Sequence, residues 1–253
     1  MLNKKGAAGL ALVLSLCHSI SVYAETVRVA VASNFLGPAR ALAREYMQTN
    51  KDEITLSAGS TGVLYTQIVN GAPFDVFLAA SADEPQRLEK EGLAVEGTRY
   101  TYALGVLALW AANPRTFDGD GAKVLRTARG LRLAMANPKI APYGAAGLAS
   151  LQPLGVDLGH WTILQGENIA QAYQYVATGN AHYGFVALAQ LREAGVRDGY
   201  WRVPTESYPP IRQQAVLLKR AEKNRAARRW LAFLRTPEVR KKLADVYGYG
   251  NEE

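Results

Sequence analysis

Val27-Arg-Val-Ala-Val-Ala32, Ser33-Asn34, Ile54-Thr-Leu-Ser57, Gly59-Ser60-Thr61-Gly62 and Phe74-Asp-Val-Phe-Leu-Ala79 are the segments whose order decides the fold. The first is an almost unbroken apolar run of strand length, as expected of a strand covered on both faces. Between Pro38 and Gln48, Ala39, Leu42, Ala43, Tyr46 and Met47 recur at helical spacing. Ile54–Ser57 reads as a second strand. Val63, Leu64, Ile68 and Val69 then mark a helix that stops at Asn70-Gly71-Ala72-Pro73. Phe74–Ala79 is a third strand and Pro85 to Glu91 a third helix. This βαβαβα order calls for a mostly parallel sheet with helices packed on it.

A second run of the same kind follows. Tyr102-Ala-Leu-Gly-Val-Leu-Ala-Leu-Trp110 reads as one long apolar strand and Leu131–Met135 as the next. Pro142 to Leu154 is a helix, Thr162–Leu164 a short strand and Asn168 to Ala177 a helix. His182–Ala187 is again a strand, followed by a helix to Ala194, a strand at Ala215–Leu218 and a helix from Asn224 to Leu234. Two α/β lobes of about 100 residues each accommodate this count.

Upstream, Lys4 and Lys5 precede an apolar run from Ala7 to Leu16, and Val22-Tyr23-Ala24 offers a small-residue cleavage site before Glu25. Residues 1–24 have the three-part pattern of a secretory signal peptide. The run is about ten residues, short of the roughly 20 that cross a bilayer. The bulky Leu16 before Cys17 is poor for lipid attachment. Cleavage would leave 229 residues, no cysteine, and 27 basic against 22 acidic residues. A thiol-free exported chain suits an oxidising compartment.

In open α/β sheets, ligands sit beyond the carboxyl ends of strands, where helix N-termini point. Four such turns are rich in neutral hydrogen-bonding groups: Ser33-Asn34, Ser60-Thr61-Gly62, Pro142-Tyr143-Gly144 and Gly166-Glu167-Asn168. Each taken alone reads as a helix cap. Together they place unpaired backbone N–H groups, hydroxyls and amides around one point, which makes an anion site without Lys or Arg. Lys139 lies just before one cluster. A fully ionised tetrahedral oxyanion accepts hydrogen bonds and donates none, so it matches such a donor set. Glu167 is expected to point its carboxylate away.

Six motifs in order carry a family resemblance: Ala-Ser-Asn-Phe-Leu-Gly-Pro (32–38), Ala-Gly-Ser-Thr-Gly (58–62), Asn-Gly-Ala-Pro-Phe-Asp-Val-Phe (70–77), Asn-Pro-Lys-Ile-Ala-Pro-Tyr-Gly (137–144), Gly-Glu-Asn-Ile (166–169) and Gly-Phe-Val-Ala-Leu-Ala (184–189). Over Val27 to Gly248 the chain resembles the periplasmic molybdate-binding proteins of ABC importers. The resemblance implies a type II periplasmic binding protein: two α/β lobes joined by two crossing strands, with the ligand cleft between them. Lobe 1 would comprise residues 25–103 and 208–253, and lobe 2 residues 104–207. The implied ligand is molybdate, and tungstate with it. Ser33, Asn34, Ser60, Thr61 and Tyr143 would hold it together with the backbone N–H of Ile169. The implied partner is a membrane permease, and the receptor would be a monomer without a cofactor. Molybdenum would enter only inside the oxyanion, not as a free cation. One position departs from the family. Many members carry an anion-binding tyrosine where this chain has Ala187, and either Asn34 or the Tyr143 phenol is available to replace it.

Other chemistries find little support. Ser60 lacks the spacing of a nucleophile elbow. His160 and His182 read as structural. No His, Cys or carboxylate cluster has metal-ligand spacing, and no phosphate-binding Walker motif is present. A receptor for another tetrahedral oxyanion such as sulfate is the alternative, and an exported hydrolase a more distant one. A carboxylate receptor would place an Arg in these loops. Asp75 and Asp83 read as turn or interlobe hydrogen-bonding groups. The overall charge of +7 invites a nucleic-acid reading, but ten of the 29 Lys and Arg residues crowd between Lys219 and Lys242. Trp230, Leu231, Phe233 and Leu234 lie among them at helical spacing, so the stretch reads as an amphipathic helix with a solvated basic face. No nucleic-acid partner is expected.

Overall fold

The computed structural model describes residues 25–116 and 119–251. The expected signal peptide lies outside the described residues. The strands are β1 (Thr26–Ala32), β2 (Glu53–Gly59), β3 (Val76–Ala79), β4 (Tyr100–Gly105), β5 (Leu107–Trp110), β6 (Arg132–Ala136), β7 (Thr162–Gly166), β8 (Tyr183–Ala187), β9 (Tyr200–Arg202) and β10 (Ile211–Leu217). The helices are α1 (Leu36–Thr49), α2 (Thr61–Val69), α3 (Asp83–Lys90), α4 (Gly121–Thr127), α5 (Pro142–Leu151), α6 (Ile169–Ala177), α7 (Leu188–Glu193), α8 (Arg225–Leu234) and α9 (Pro237–Asp245).

The strands form two five-stranded sheets, ordered β2-β1-β3-β10-β4 and β7-β6-β8-β5-β9. The two sheets repeat one plan. In the first, β1 pairs in parallel with β2 and β3, while β10 runs antiparallel to β3 and β4. In the second, β6 pairs in parallel with β7 and β8, while β5 runs antiparallel to β8 and β9. The reversed strand of each sheet is the one through which the chain arrives from the other.

That exchange overturns the reading of Tyr102 to Trp110 as a single strand. The backbone leaves the first sheet after Gly105 and joins the second at Leu107. At the break the Val106 carbonyl accepts the Leu188 N–H at 2.9 Å, and the Leu107 N–H donates to the Tyr208 hydroxyl at 3.1 Å. Apolar continuity therefore hid a change of sheet, because both halves are buried. The return crossing runs from β9 to β10 through residues 203–210.

Each sheet is covered by helices whose buried faces follow the 3.6-residue period. On α1 these are Pro38, Ala39, Leu42, Ala43 and Tyr46, and on α8 Ala226, Ala227, Trp230, Leu231 and Leu234. Phe35, Trp230 and the β1 valines fill the main core of the first unit, and Leu107, Leu109, Leu133 and Phe185 that of the second. As the sequence suggests, α8 presents its basic side chains outward. Several basic residues on and around it are nonetheless tied down. Arg229 grips Asp52 through two hydrogen bonds of 2.7 and 3.0 Å, Lys242 pairs with Glu45, and Arg220 lies 3.6 Å from Asp75.

Candidate functional site

All four donor-rich turns meet between the two sheets. Ser33 and Asn34 follow β1 in a short 3-10 turn that feeds α1, Ser60 and Thr61 open α2, Pro142 and Tyr143 open α5, and Asn168 and Ile169 open α6. Together with Ala32, Gly59, Ala80 and Ala141 they line one small cavity. All six residues singled out from the sequence are on its wall. None of the lining residues carries a charge.

The expectation that each turn merely caps its helix can now be separated turn by turn. It holds at α6, where the Asn168 side chain accepts from the N–H groups of Ala170 and Gln171 at 3.0 and 3.1 Å. It fails at α2. Ser60 occupies the N-cap position with extended backbone, but its hydroxyl makes no capping bond. That hydroxyl is buried and has no hydrogen-bond partner. The N-cap of α5 is Ala141, which has no capping group at all. A helix start normally satisfies part of its N–H set locally. Here two of the converging starts, those of α2 and α5, lack a side-chain cap beside the cavity.

The remaining side chains are held by specific partners. Thr61, almost fully buried, accepts the Ala80 N–H at 3.1 Å, which fixes α2 to the end of β3 and leaves the hydroxyl proton free to donate. Ser33 is half-buried at the rim. Asn34 is buried, and its amide is turned away from the cavity: Nδ2 donates to Gln213 Oε1 at 2.8 Å and to the Tyr249 hydroxyl at 3.2 Å. Tyr249 in turn donates to the Asn34 carbonyl at 3.1 Å. The Tyr143 ring likewise passes behind the cavity, against Gly105 and Gln213, and its buried hydroxyl has no partner. Burial, with Tyr249, Tyr208 and Tyr102 close by, pushes this phenol well above its ordinary range and keeps it neutral. Both candidates for the missing family tyrosine line the cavity, and the side chains of both also reach toward Gln213 behind it. Ala187 is fully buried, and its N–H donates to Gln190 Oε1 at 2.9 Å.

Several residues that order the site were not picked out from the sequence. Gln190 Nε2 donates to the Ile169 carbonyl at 3.2 Å and so steadies the start of α6. Gln213, Tyr249 and Gly105 form the bracket behind Asn34 and Tyr143. Gln213 gave no signal of its own within the polar Arg212-Gln213-Gln214 stretch, yet it is completely buried. The two units also touch around the rim. Gly62 N–H donates to the Ile140 carbonyl at 2.9 Å. Glu193 rests its carboxylate on the first turn of α1 at Gly37, where a Cβ would lie 1.8 Å from a carboxylate oxygen.

The excluded chemistries look structural in detail. His182 Nδ1 accepts the Arg132 N–H at 3.0 Å, and His160 contacts the Leu125 carbonyl at 3.4 Å. Glu167 is exposed and off the cavity wall. Asp75 accepts the Arg28 N–H at 2.8 Å, and Asp83 opens α3 beside a wider interlobe cleft of about 510 Å³. That cleft adjoins the small cavity through Ala80, Ala141 and Pro142. Among the described residues no cluster of His, Cys and carboxylates could hold a metal ion.

Comparison with known proteins places these features. The family model described as "Bacterial extracellular solute-binding protein" matches residues 27–249. A protein named "Molybdate-binding protein ModA" from Azotobacter vinelandii is 45% identical over 230 residues, covering 90% of each chain. One of the same name from Rhodobacter capsulatus is 43% identical over 250 residues, covering 98% of this chain and 97% of the relative. The solved structure of the Azotobacter vinelandii periplasmic molybdate-binding protein superposes with a TM-score of 0.83 at 37% identity, over 90% of this chain and all of the other.

Proposed function

The chain belongs to the family of bacterial extracellular solute-binding proteins, and from that premise we propose that it captures molybdate between its lobes and hands it to a membrane permease. The observation that carries this reading is the cavity wall: four helix N-termini, the hydroxyls of Ser33, Ser60 and Thr61, and no charged side chain. A tetrahedral dianion needs a donor for every oxygen, because desolvation without replacement costs several kcal/mol. In this reading Ser33 and Ser60 donate hydroxyls, and Thr61 keeps a proton for the same use. Asn34, Tyr143 and Ile169 contribute backbone N–H groups. The two lobes are read from the sequence as residues 25–103 with 208–253 and residues 104–207, with Leu104 and Gly105 of β4 joining the first. Each supplies two of the four turns, so the donor set is complete only when they are closed.

The same donors suit tungstate, which has the charge and shape of molybdate. Sulfate is the competitor to exclude, since it differs in bond length and not in charge, and donors spaced for the longer bonds of molybdate would leave the smaller anion with unmatched oxygens. No general base faces the cavity, so the role is binding without turnover and without a cofactor. Export through the signal peptide of residues 1–24 would place the monomeric receptor in the periplasm, opposite its permease. Calorimetric titration with molybdate, tungstate, sulfate and phosphate tests the reading. Binding of molybdate and tungstate well below millimolar, with sulfate and phosphate far weaker, is the expected result. Equal affinity for sulfate, or no uptake of either larger anion, would overturn it.

A further inference from the structure

The bracket behind the cavity has a shape that the donor set does not explain. Gly105 is the last residue of β4, just before the chain crosses to the other sheet. A Cβ there would lie 2.4 Å from the Tyr143 hydroxyl, 2.9 Å from its Cζ and 2.8 Å from Gln213 Nε2. Such distances are far inside van der Waals contact, so the Tyr143 phenol fits only because residue 105 has no side chain. Gly105 does not adopt the left-handed backbone that would independently call for glycine. The need is therefore one of space.

Tyr143 comes from the start of α5, which packs with the second sheet. The residues that receive it, Gly105, Gln213, Asn34 and Tyr249, all belong to the first. Gln213 sits where β10 changes register against β4, between Gln213 and Gln214, which turns its side chain inward. Its Oε1 accepts from Asn34, and its Nε2 lies beside the Tyr143 ring while donating to the Ile211 carbonyl at 3.3 Å. One glutamine thus anchors the turn that presents Ser33 and Asn34 and borders the same space beside Gly105 that the Tyr143 hydroxyl fills.

We propose that Gly105 and Gln213 form a socket that receives the Tyr143 phenol when the lobes close, and that this seating, rather than a bond from the phenol to the anion, positions the Asn34 and Tyr143 backbone N–H groups around the ligand. Gly105 and Gln213 are then positioning residues for anion binding. The inference rests on the reading of the cavity as the oxyanion site. In the open form Tyr143 withdraws, and an alanine at 105 meets only the Gln213 amide, the mobile end of a flexible side chain that can give way. In the closed form that alanine and the ring compete for one space.

The test is a titration with sodium molybdate of wild type, Gly105→Ala, Gln213→Ala and the double variant Gly105→Ala/Tyr143→Phe, with small-angle scattering before and after addition of the anion. Gly105→Ala is expected to weaken binding roughly ten- to hundredfold, the range of an overpacked contact, and to lose the ligand-induced compaction. Its melting temperature without ligand should match wild type. Removing the phenol oxygen takes away the tightest clash, so the double variant should regain part of the lost affinity and compaction. Gln213→Ala should weaken binding by roughly tenfold through loss of the Asn34 anchor, and it carries the test if Gly105→Ala is unstable. Wild-type affinity in both Gly105→Ala and Gln213→Ala would overturn the socket. So would a double variant that binds more weakly than Gly105→Ala alone, because the phenol would then be a ligand of the anion itself. A wild-type chain that takes up no molybdate is a different failure, that of the functional reading.

Discussion

Two buried polar clusters in this chain are built from similar groups and wired in opposite ways. At one end of the first sheet, Asp52 accepts two hydrogen bonds from Arg229 and a third, of 2.8 Å, from the Tyr46 hydroxyl. The carboxylate is charged, buried and fully partnered. Between the lobes, the Ser60 hydroxyl is equally buried, carries no charge and has no partner. A buried donor without an acceptor costs about 1–3 kcal/mol, so such groups persist where something other than folding selects them. The satisfied knot belongs to stability. The unsatisfied cavity, into which helix N-termini also converge, belongs to a ligand. Charge is therefore a poor guide to this site: the acidic and basic residues hold lobe 1 together, and the anion is left to neutral donors.

The largest effect should come from breaking the knot. Asp52→Ala removes the acceptor for both Arg229 and Tyr46. We expect about 2–4 kcal/mol of lost stability, below the top of the range for a buried pair because Arg229 is 41% exposed and regains water. Thermal unfolding should shift down by several degrees. Molybdate affinity of the folded protein, measured well below that transition, should be unchanged. A loss of affinity as large as the loss of stability would dissolve the distinction between the two clusters.

The mirror experiment acts on the cavity. Ser60→Ala should weaken molybdate binding by roughly ten- to a hundredfold, the worth of one hydrogen bond to a charged group. The stability of the free protein should stay level or rise, because the lost hydroxyl had no partner. A drop in stability with intact affinity would make Ser60 a capping residue after all.

The two clusters also differ in how far the sequence reveals them. The donor turns were legible because each is local: a strand end, a few small polar residues, then a helix start. The bracket was not, since Asn34 meets partners 179 and 215 positions away, and no periodicity reports such a pairing. Gln213 and Gln214 even pushed the expected start of the last strand to Ala215, although β10 begins at Ile211. Gln213 pairs with buried Asn34 and Gln214 with half-buried Arg99 and Thr101, so polarity misled where the tertiary contacts decided. The same holds for Val106, where an apolar run conceals the passage between sheets. In α9 only Val239 and Leu243 are buried, too sparse a stripe to stand out. The knot was partly visible, as a basic stretch, but its pairing with Asp52 was not.

Acidity should separate the clusters again. Hydrogen bonds from Arg229 and Tyr46 hold the Asp52 carboxyl below the usual carboxylate range, against the opposing effect of burial. A depressed value in the folded state means stability that is complete above about pH 4 and lost as the pH falls through the folded value. Tyr46 moves the other way: burial first, then Asp52, push its phenol up to about 12. Its contribution is present below about pH 10 and is lost as the pH rises toward 12. Asp52→Asn should blunt the acid limb of a stability profile, and Tyr46→Phe the alkaline one. Molybdate affinity, by contrast, should be flat from about pH 6 to 9, because no lining group titrates there. A step in affinity within that window would place a titrating group at the anion.

The smallest effect is expected at the basic face. Lys223 and Arg225 are exposed, on the far side of the buried stripe of α8 and its lead-in. If the anion were held or drawn in by net charge, removing them would matter; if neutral dipoles hold it, screening by salt leaves little beyond a Debye length of about 8 Å. Lys223→Gln/Arg225→Gln should therefore change molybdate affinity by less than about twofold at physiological ionic strength, and stability by a few tenths of a kcal/mol. The association rate at low salt is the more sensitive reading, since long-range steering survives there. A slower association at low salt with an unchanged dissociation rate would assign the basic face to encounter alone. An affinity change that persisted at high salt would mean that the two regions are coupled through the fold.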